Sequence, residues 1–203
     1  MNKISQLNFE ENIVLENEFV LLRPLQLNDF NYLLNFSLTE PEIWKYSSMQ
    51  AIGADGLKNY INTAIKAREE KKEFPFIVFD IIKNTYAGST RFYDIQLMNK
   101  CLQLGFTWYG KAFQGSGLNK HCKYLLLTYA FEKMDIERVE FRADLRNERS
   151  IAAMKSIGCK VEGILRSNGW TATGERRDSI VLSILKEEWF HSIKDDLKSK
   201  LKK

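Results

Sequence analysis

A turn with two glycines at the start of a long helix is the feature that most constrains how this chain can fold. The turn, Gln114-Gly115-Ser116-Gly117-Leu118-Asn119, follows a strand-like segment that ends near Tyr109, and an apolar helical pattern continues to about Met134. Glycine lets a backbone approach a ligand closely, and the first N–H groups of a helix lack partners within the helix. Because the positive end of the helix dipole lies at the same place, the turn predicts an anion-binding site.

The charges at the start of this helix support the prediction. Lys120, His121 and Lys123 stand there without an acidic residue, although the helix dipole favours acidic side chains at this end by roughly 0.3–1 kcal/mol each. A bound polyanion would make these basic residues favourable. The alternative is that the lysines are solvated and that the glycines only form a turn.

Two nucleotide-binding signatures do not fit the turn. A P-loop requires Lys-Ser or Lys-Thr after its last glycine, where this chain has Leu118-Asn119. The dinucleotide-binding turn requires a third glycine, and Lys120 stands at that place. The sequence therefore does not predict a nucleotide held in either of these ways.

The order of the predicted elements indicates an α+β domain with a mixed central sheet. A strand at 19–23 precedes two amphipathic helices, which follow Asn28-Asp29 and Asp55-Gly56, and an antiparallel meander comes next. The meander has strands at 76–82, 88–95 and 102–109; after the helix that follows the turn come a strand at 138–145, a helix at 147–157, a hairpin at 159–166 and 178–185, and a helical tail from Glu187.

The composition excludes several classes of protein. The 203 residues are 44% hydrophobic, which supplies a folded core and excludes a disordered chain. Two histidines are too few for a histidine-based metal site, so we expect no metal. No uncharged apolar run reaches the ~18 residues of a membrane span, and residues 1–11 do not resemble a signal peptide. Three cysteines without paired spacing predict reduced thiols in the cytoplasm.

The turn resembles the coenzyme A signature of the GNAT superfamily of acyl-CoA N-acyltransferases. That signature is Gln or Arg, two residues, Gly, one residue, and Gly or Ala, and this chain departs from it only at Asn119. Further segments resemble the RimJ/RimL-like branch, whose members include ribosomal-protein N-terminal acetyltransferases, and the resemblance extends over residues 19–189. These segments are 88–91, 108–113, 146–150 and 162–166.

The resemblance implies both a fold and a reaction. The fold is a single GNAT-like α+β domain with a mixed, mostly antiparallel, twisted central sheet flanked by helices, in which two strands splay at the cofactor cleft. The reaction transfers an acetyl group from acetyl-CoA, as co-substrate, to a primary amine by direct attack in a ternary complex. We expect the domain at 19–189, an N-terminal extension at 1–18, and an amphipathic basic helix or tail at 190–203.

The resemblance also assigns coenzyme A to particular backbone groups. The turn holds the pyrophosphate, and the edge of the preceding strand pairs with the pantetheine arm, where one N–H polarises the thioester carbonyl. Asn147 matches a family residue that hydrogen-bonds this arm, although it is also a natural helix N-cap. The expected cofactor-binding residues are Phe106, Thr107, Trp108, Gln114, Gly115, Ser116, Gly117, Leu118, Asn119, Lys120 and Asn147.

Two carboxylates that family members use in catalysis are missing from this chain. The matching segments, 101–105 and 167–169, contain no Asp or Glu. Ser150 matches a residue that can lie near the thiolate as catalytic acid, or it supports a helix cap. Asp94 is the remaining candidate for the general base, or it is a solvated aspartate at a turn. Water is a further candidate for the base.

Arg91, Tyr93 and Trp170 are the candidate acceptor-binding residues. Aromatic residues at such positions are more often packed in a core or at its rim. Arg91 is a charge within an apolar strand, so it would bind an acceptor carboxylate or pair with Asp94. The acceptor is expected to be a small-molecule amine or a peptide N-terminal amine.

Two other functions stay open at this point. The missing carboxylates suggest a coenzyme A-binding module without catalysis. The Lys-rich segment 194–203 suggests nucleic-acid binding, but Asp195 and Asp196 interrupt it, and Leu197 and Leu201 make it amphipathic. A helix packed on the domain or on a second subunit explains that segment better. We therefore expect no nucleic-acid or membrane partner, and a monomer or a homodimer.

Overall fold

A computed structural model describes residues 7–201, in which eight strands form one mixed sheet. The strands are β1 (Leu15–Glu16), β2 (Val20–Pro24), β3 (Phe74–Asp80), β4 (Thr85–Gln96), β5 (Cys101–Tyr109), β6 (Arg138–Asp144), β7 (Lys160–Trp170) and β8 (Arg176–Leu185). Their order across the sheet is β1-β2-β3-β4-β5-β6-β8-β7. All neighbours are antiparallel except β5 and β6, which are parallel.

Helices cover both faces of this sheet. They are α1 (Phe30–Thr39), α2 (Gly53–Glu69), α3 (Leu118–Thr128), α4 (Glu148–Ser156), α5 (Lys186–Glu188) and α6 (Lys194–Ser199). A π-helical turn at Tyr129–Lys133 extends α3, and another at Trp189–Ile193 joins α5 to α6. No helix in the described range, 7–201, combines the length and the apolar character needed to cross a lipid bilayer.

The sheet separates two hydrophobic cores. Successive residues of a strand point to opposite faces, and β3 follows this rule. Phe76 and Val78 lie in the core with α3, whereas Ile77 lies in the core with α1 and α2. Because both faces of β3 are covered, its sequence is an almost continuous apolar run. The buried positions of α2 show helical spacing; they are Leu57, Tyr60, Ile61 and Ala64.

The pairing between β5 and β6 is short, and this opens the sheet. The two strands pair only where Cys101, Leu102 and Gln103 face β6. Beyond Gln103 they diverge, so the β6-facing edge of β5 is left without a strand partner up to Tyr109. On its other side, β5 pairs with β4, and the register shifts opposite Thr90, between Ser89 and Arg91. The open edge of β5 is the feature of the fold that positions the site.

The predicted fold class is confirmed: one α+β domain with a mixed, mostly antiparallel sheet flanked by helices and two splayed strands. Several local predictions differ from the structure, since β3 ends at Asp80 rather than at Ile82 and β7 continues to Trp170 rather than ending at Arg166. Strand β1, which has only two residues, was not predicted, and α2 begins at Gly53 rather than after Gly56. A two-residue strand has no periodicity to detect, and it forms because β2 offers it a partner.

The segments outside 19–189 also pack on the domain. Leu7 and Ile13 belong to the core with α3, and so does Leu197 of α6, which is fully buried. The division of the chain at residues 18 and 189 stays a prediction. Residues 1–6 of the predicted extension and 202–203 of the predicted tail lie outside the described residues.

Candidate functional site

A cleft of about 710 Å³ lies where β5 and β6 diverge. Strand β5 lines it from Gln103 to Tyr109, and α4 lines it from the opposite side. One end of the cleft lies at the turn before α3. The other end lies between the connection from α1 to α2 and the hairpin of β7 and β8. A long ligand can therefore enter at one end and meet a second molecule at the other.

The turn before α3 presents unpaired backbone donors to the first end. Gly115 and Gly117 have φ of +73° and +95°, in the left-handed region that favours glycine. Within residues 7–201, the N–H groups of Gly115, Ser116 and Gly117 have no protein acceptor. A Cβ added at Gly115 would meet no protein atom within 4 Å, so the space beside it is open. These donors at a helix N-terminus fit an anion such as pyrophosphate.

Side chains within the turn hold its shape. Ser116 Oγ donates to the Phe113 carbonyl at 2.7 Å. Gln114 Nε2 donates to the Tyr109 carbonyl at 2.9 Å, and Gln114 Oε1 accepts from Arg149 Nη1 of α4. The turn is therefore tied to the end of β5 and to the opposite wall of the cleft.

The three basic residues at the start of α3 occupy different environments. Lys120 lines the cleft beside the glycines, as expected for an anion site. His121 is buried, with its Nδ1 at 3.1 Å from Asn17 Nδ2. Lys123 is also buried, so the alternative that both lysines are solvated is wrong for Lys123.

Lys123 lines the middle of the cleft and has an unusual environment for a lysine. Its side chain is 5% exposed, and Nζ donates to Thr107 Oγ1 at 2.8 Å and to Thr90 Oγ1 at 3.4 Å. Within the described chain, no carboxylate lies within ion-pair distance of it. Burial lowers the pKa of Lys123 to about 8.

A bulge in β5 shapes the floor of the cleft next to Lys123. Phe106 has φ of +48°, a left-handed conformation that is uncommon for a residue of this size. The Arg91 guanidinium lies over the Phe106 ring at 4.3 Å and over the Tyr60 ring at 4.7 Å. Tyr60 Oη accepts from Trp108 Nε1 at 3.3 Å and lies 3.4 Å from the Phe106 carbonyl oxygen.

Asn147 and Ser150 line the cleft from α4. Asn147 is the N-cap of this helix, because its Oδ1 accepts from the Ser150 N–H at 3.1 Å. The capping role is thus observed, and both side chains still border the cleft. A ligand-binding role for either residue is an addition to the cap rather than an alternative to it.

Aromatic and basic residues line the second end. The Tyr93 ring packs against Phe106 at 5.0 Å, and burial raises the pKa of Tyr93 to about 12. Trp170 is 59% exposed, with the Arg176 guanidinium over its ring at 4.5 Å. The hairpin tip reaches the connection after α1, since the Ala172 N–H donates to the Ser47 carbonyl at 3.2 Å.

Most of the predicted site residues meet in this cleft, and four do not line it. Two of the four, Leu118 and Ser116, belong to the turn. Leu118 is buried in the core with α3. Ser116 Oγ accepts from the Leu118 N–H at 3.3 Å. Arg91 is 1% exposed and pairs with Glu73 at 2.6 Å, so the expected pairing with Asp94 is not formed. The residues that line the cleft are Phe106, Thr107, Trp108, Gln114, Gly115, Gly117, Asn119, Lys120, Asn147, Ser150, Tyr93 and Trp170.

Asp94 lies in a separate hollow of about 120 Å³ on the other side of Gln103. Its carboxylate accepts from Gln103 Nε2 at 2.7 Å and from Gln96 Nε2 at 3.2 Å. Gln103 is shared by the hollow and the cleft. Asp94 therefore contacts the wall of the cleft through its hydrogen bond to the Gln103 amide, and Arg142 also lines both spaces.

Five charged residues that line the cleft were not among the predicted site residues; they are Lys123, Arg142, Asp144, Arg149 and Arg177. Asp144 is the one carboxylate among the described lining residues, and the Arg146 side chain lowers its pKa by hydrogen bonding to it. Lys123 had a detectable signal, because it falls on the same helical stripe as the buried Leu126 and Leu127. A lysine on an apolar stripe indicates either a buried partner or a site.

Comparisons with known proteins show what this chain is similar to. The family model for "Acetyltransferase (GNAT) domain" matches residues 20–160. "Putative ribosomal N-acetyltransferase YdaF" of Bacillus subtilis (strain 168) is 33% identical over 102 residues, which are 50% of this chain and 55% of that protein. This match thus spans about half of that relative. "Probable N-acetyltransferase YjcK" of the same organism is 27% identical over 180 residues, which are 85% of this chain and 97% of that protein.

Solved structures share the fold. A "putative acetyltransferase" from T. thermophilus is 33% identical, covers 93% of this chain and 97% of its own, and has a TM-score of 0.83. Mycobacterium smegmatis RimJ in complex with CoA-disulfide is 18% identical, covers 93% of each chain, and has a TM-score of 0.76. At that identity the likeness extends to the fold alone.

Proposed function

The chain belongs to the GNAT family of acetyltransferases, and from this membership we propose that it acetylates the N-terminal amine of a protein or peptide with acetyl-CoA as donor. The main support for this proposal is the cleft at the open edge of β5. It has an anion-binding turn at one end and an opening lined by aromatic and basic residues at the other. Donor and acceptor then meet near the β5 bulge in a ternary complex.

The residues at the first end fit coenzyme A. Three unpaired N–H groups, two left-handed glycines and Lys120 suit a pyrophosphate. The unpaired edge of β5 at Phe106, Thr107 and Trp108 offers backbone groups to a pantetheine arm. When bound, acetyl-CoA supplies an activated acyl group as a thioester. An N–H at the bulge would stabilise negative charge on the acyl oxygen.

Proton transfer is proposed to use solvent and Ser150. Asp144 forms an ion pair with Arg146 at 2.8 Å, which favours the ionised carboxylate. Because the carboxylate oxygens are occupied by this pair, Asp144 is not assigned as the base. Water at the open end accepts the proton of the attacking amine. Ser150 lines the cleft and is the proposed donor to the departing sulfur. Asp94 is proposed to position Gln103, the residue that it holds.

The second end supports a peptide as the acceptor. Tyr93, Trp170 and Arg177 would bind the first residues of a peptide there, while Ser47 and Asn168 offer polar groups at its edge. Arg91 is proposed to act indirectly by supporting Phe106. The name of the YdaF relative, which includes a ribosomal N-acetyltransferase activity, adds to this proposal. The free thiols of all three cysteines support a cytoplasmic location.

Two measurements test the proposal. The first is thermal stability with and without acetyl-CoA, because a ligand at 100 times its Kd stabilises the native state by about 2.7 kcal/mol. No shift at saturation contradicts donor binding. The second is mass-spectrometric detection of acetylation in a panel of amines.

The panel contains a peptide with a free α-amine, the same peptide with that amine blocked, a polyamine and an aminoglycoside. The proposal predicts modification of the free α-amine and none of the blocked peptide. Modification of the small amines alone would contradict the peptide acceptor. A thermal shift without any acetylated product would favour a binding module.

A further inference from the structure

Lys123 is a buried cation that the reaction outlined above does not use. It is one of the two lysines that line the cleft, and unlike Lys120 it is almost fully buried. A buried ammonium normally pairs with a carboxylate, because burial without a counter-charge is costly. In the described residues, Lys123 has only hydroxyl groups as hydrogen-bond acceptors.

The groups around Lys123 do not provide a negative charge at neutral pH. The thiols nearest to it in electrostatic terms are Cys122 on α3 and Cys159, which follows α4. Burial raises the pKa of each thiol to about 12, so both stay protonated. From the sheet, Thr90 of β4 and Thr107 of β5 face it with hydroxyls. The side that is not closed by protein is the cleft.

The position of the ammonium follows from its anchor. Lys123 Nζ is 2.8 Å from Thr107 Oγ1, and Thr107 comes directly after Phe106, whose left-handed conformation forms the bulge. Under the proposed function, this bulge faces the thioester of the donor. Because it contacts Thr107, the ammonium lies next to the bulge, where we place acyl transfer, and not at the pyrophosphate end.

We propose that the Lys123 ammonium is the counter-charge for the coenzyme A sulfur, and that it pairs with the thiolate that acyl transfer releases. This inference rests on the proposed function. In the reaction, the nitrogen–carbon bond forms, the carbon–sulfur bond breaks, and its electron pair stays on sulfur. The attacking nitrogen loses its proton to solvent. Lys123 keeps its own proton and stabilises the negative sulfur by direct attraction, until solvent or Ser150 protonates it.

The proposal predicts an acidified thiol in the complex with free coenzyme A. A cation close to a thiol favours the thiolate, as it does for cysteines beside Lys or His⁺. We expect the thiol of coenzyme A to titrate at least one pH unit lower when bound than when free, which is a tenfold or larger change in its ionisation constant. In the Lys123→Met complex we expect no such decrease.

The test is an ultraviolet titration of thiolate absorbance in the complex of the full chain with coenzyme A. The complex with desulfo-coenzyme A is the blank, because it lacks only the ligand sulfur and so subtracts Cys101, Cys122 and Cys159. Thr107→Val is a second variant that keeps the lysine and removes its anchor; we expect a smaller decrease in the thiol pKa than in wild type.

The outcomes are separable. A wild-type complex whose thiol titrates like free coenzyme A overturns the inference, whatever the variants do. An equal decrease in wild type and Lys123→Met overturns it as well, because another group is then responsible. If Lys123→Met does not fold, the wild-type and Thr107→Val titrations decide. If coenzyme A does not stabilise the wild-type protein at all, the proposed function fails first, and the inference fails with it.

Discussion

Gly115 and Gly174 share a backbone conformation and differ in their place relative to the cleft. Their φ angles are +73° and +84°, and a Cβ at either position would meet no protein atom within 4 Å. Only Gly115 borders the cleft. Leucine at either position would carry a similar left-handed backbone cost of roughly 1–2 kcal/mol. The two substitutions thus separate the conformational cost from an effect on the ligand.

We expect Gly115→Leu to abolish the thermal stabilisation by acetyl-CoA and Gly174→Leu to retain it. The leucine at position 115 would fill the space beside the unpaired N–H groups, where we place the pyrophosphate. The measurement is the midpoint shift at increasing acetyl-CoA concentration for both variants. A full shift in Gly115→Leu would place the anion elsewhere.

The buried charge of Lys123 predicts a distinct dependence of stability on pH. Its pKa is lowered by burial from 10.5 to about 8 in the folded chain. Between these two pH values the unfolded chain binds more protons than the folded chain. The contribution of this residue to the free energy of unfolding therefore increases as pH rises from 8 to 10.5. Below pH 8 its full destabilising effect is present. The difference between 10.5 and about 8 corresponds to about 3 kcal/mol.

Lys123→Met should therefore be more stable than wild type at pH 7, by up to about 3 kcal/mol. The advantage should shrink towards pH 10.5. Urea unfolding of both proteins across this pH range measures the advantage. The thiols and Tyr109 titrate in both proteins, so their contributions cancel in the difference between the two free energies of unfolding. A constant difference in the free energy of unfolding would show that Lys123 is not the titrating group.

Several features of the site at this scale could be predicted from sequence, because backbone atoms make them. The glycines and the helix start identified the anion turn. The partners of Arg91 could not be predicted, since Glu73 lies before β3 and meets Arg91 only once β3 and β4 pair. Lys123 could be recognised as unusual from its helical stripe, but its contact with Thr107 depends on how α3 lies on β5.

At the scale of elements, one buried arginine connects three of them. Arg91 belongs to β4, stacks on Tyr60 of α2 and Phe106 of β5, and pairs with Glu73. Arg91 Nε and Nη2 have no hydrogen-bond partner among the described residues. The Glu73 carboxylate is therefore the main compensation for this buried charge. Its loss would affect both stability and the conformation of the β5 bulge.

Glu73→Ala should destabilise the fold by about 3 kcal/mol, because it leaves a buried guanidinium without its counter-charge. Glu70→Ala is the matched control, since Glu70 also pairs with a cation, Lys72, but at the surface, and we expect no measurable change from it. The double variant Glu73→Ala with Arg91→Met should recover much of the loss. Chemical denaturation measures all of them. Equal effects of Glu73→Ala and Glu70→Ala would contradict a structural role for the buried pair.

The prediction of elements succeeded where each element carries its own periodicity. The stripe of α2 and the apolar run of β3 are local patterns, and both elements were found. The short pairing between β5 and β6 has no local signal, because it depends on where two distant segments separate. Only the resemblance to a family with splayed strands predicts that separation.

At the scale of the whole molecule, the sheet consists of two parts joined at one short parallel ladder. Strands β1 to β5 form a continuous antiparallel part, and β6, β8 and β7 form the other. The ladder between them contains Cys101–Gln103 on one side and Arg138–Glu140 on the other. A ligand in the cleft would contact both parts, through β5 and the turn on one side and through α4 on the other. Binding should therefore stabilise the junction more than either part.

Hydrogen–deuterium exchange tests this expectation along the chain. Acetyl-CoA should slow exchange at residues 115–117, because their free N–H groups would gain acceptors, at residues 106–108 along the open edge of β5, and at the start of α4. The paired strands β2 and β3 provide the internal control, because their N–H groups are already bonded within the sheet and should change little. Uniform slowing over all strands would indicate general stabilisation rather than a ligand at the junction. Protection limited to 115–117 would place only the pyrophosphate, and it would contradict the path of the pantetheine arm along β5.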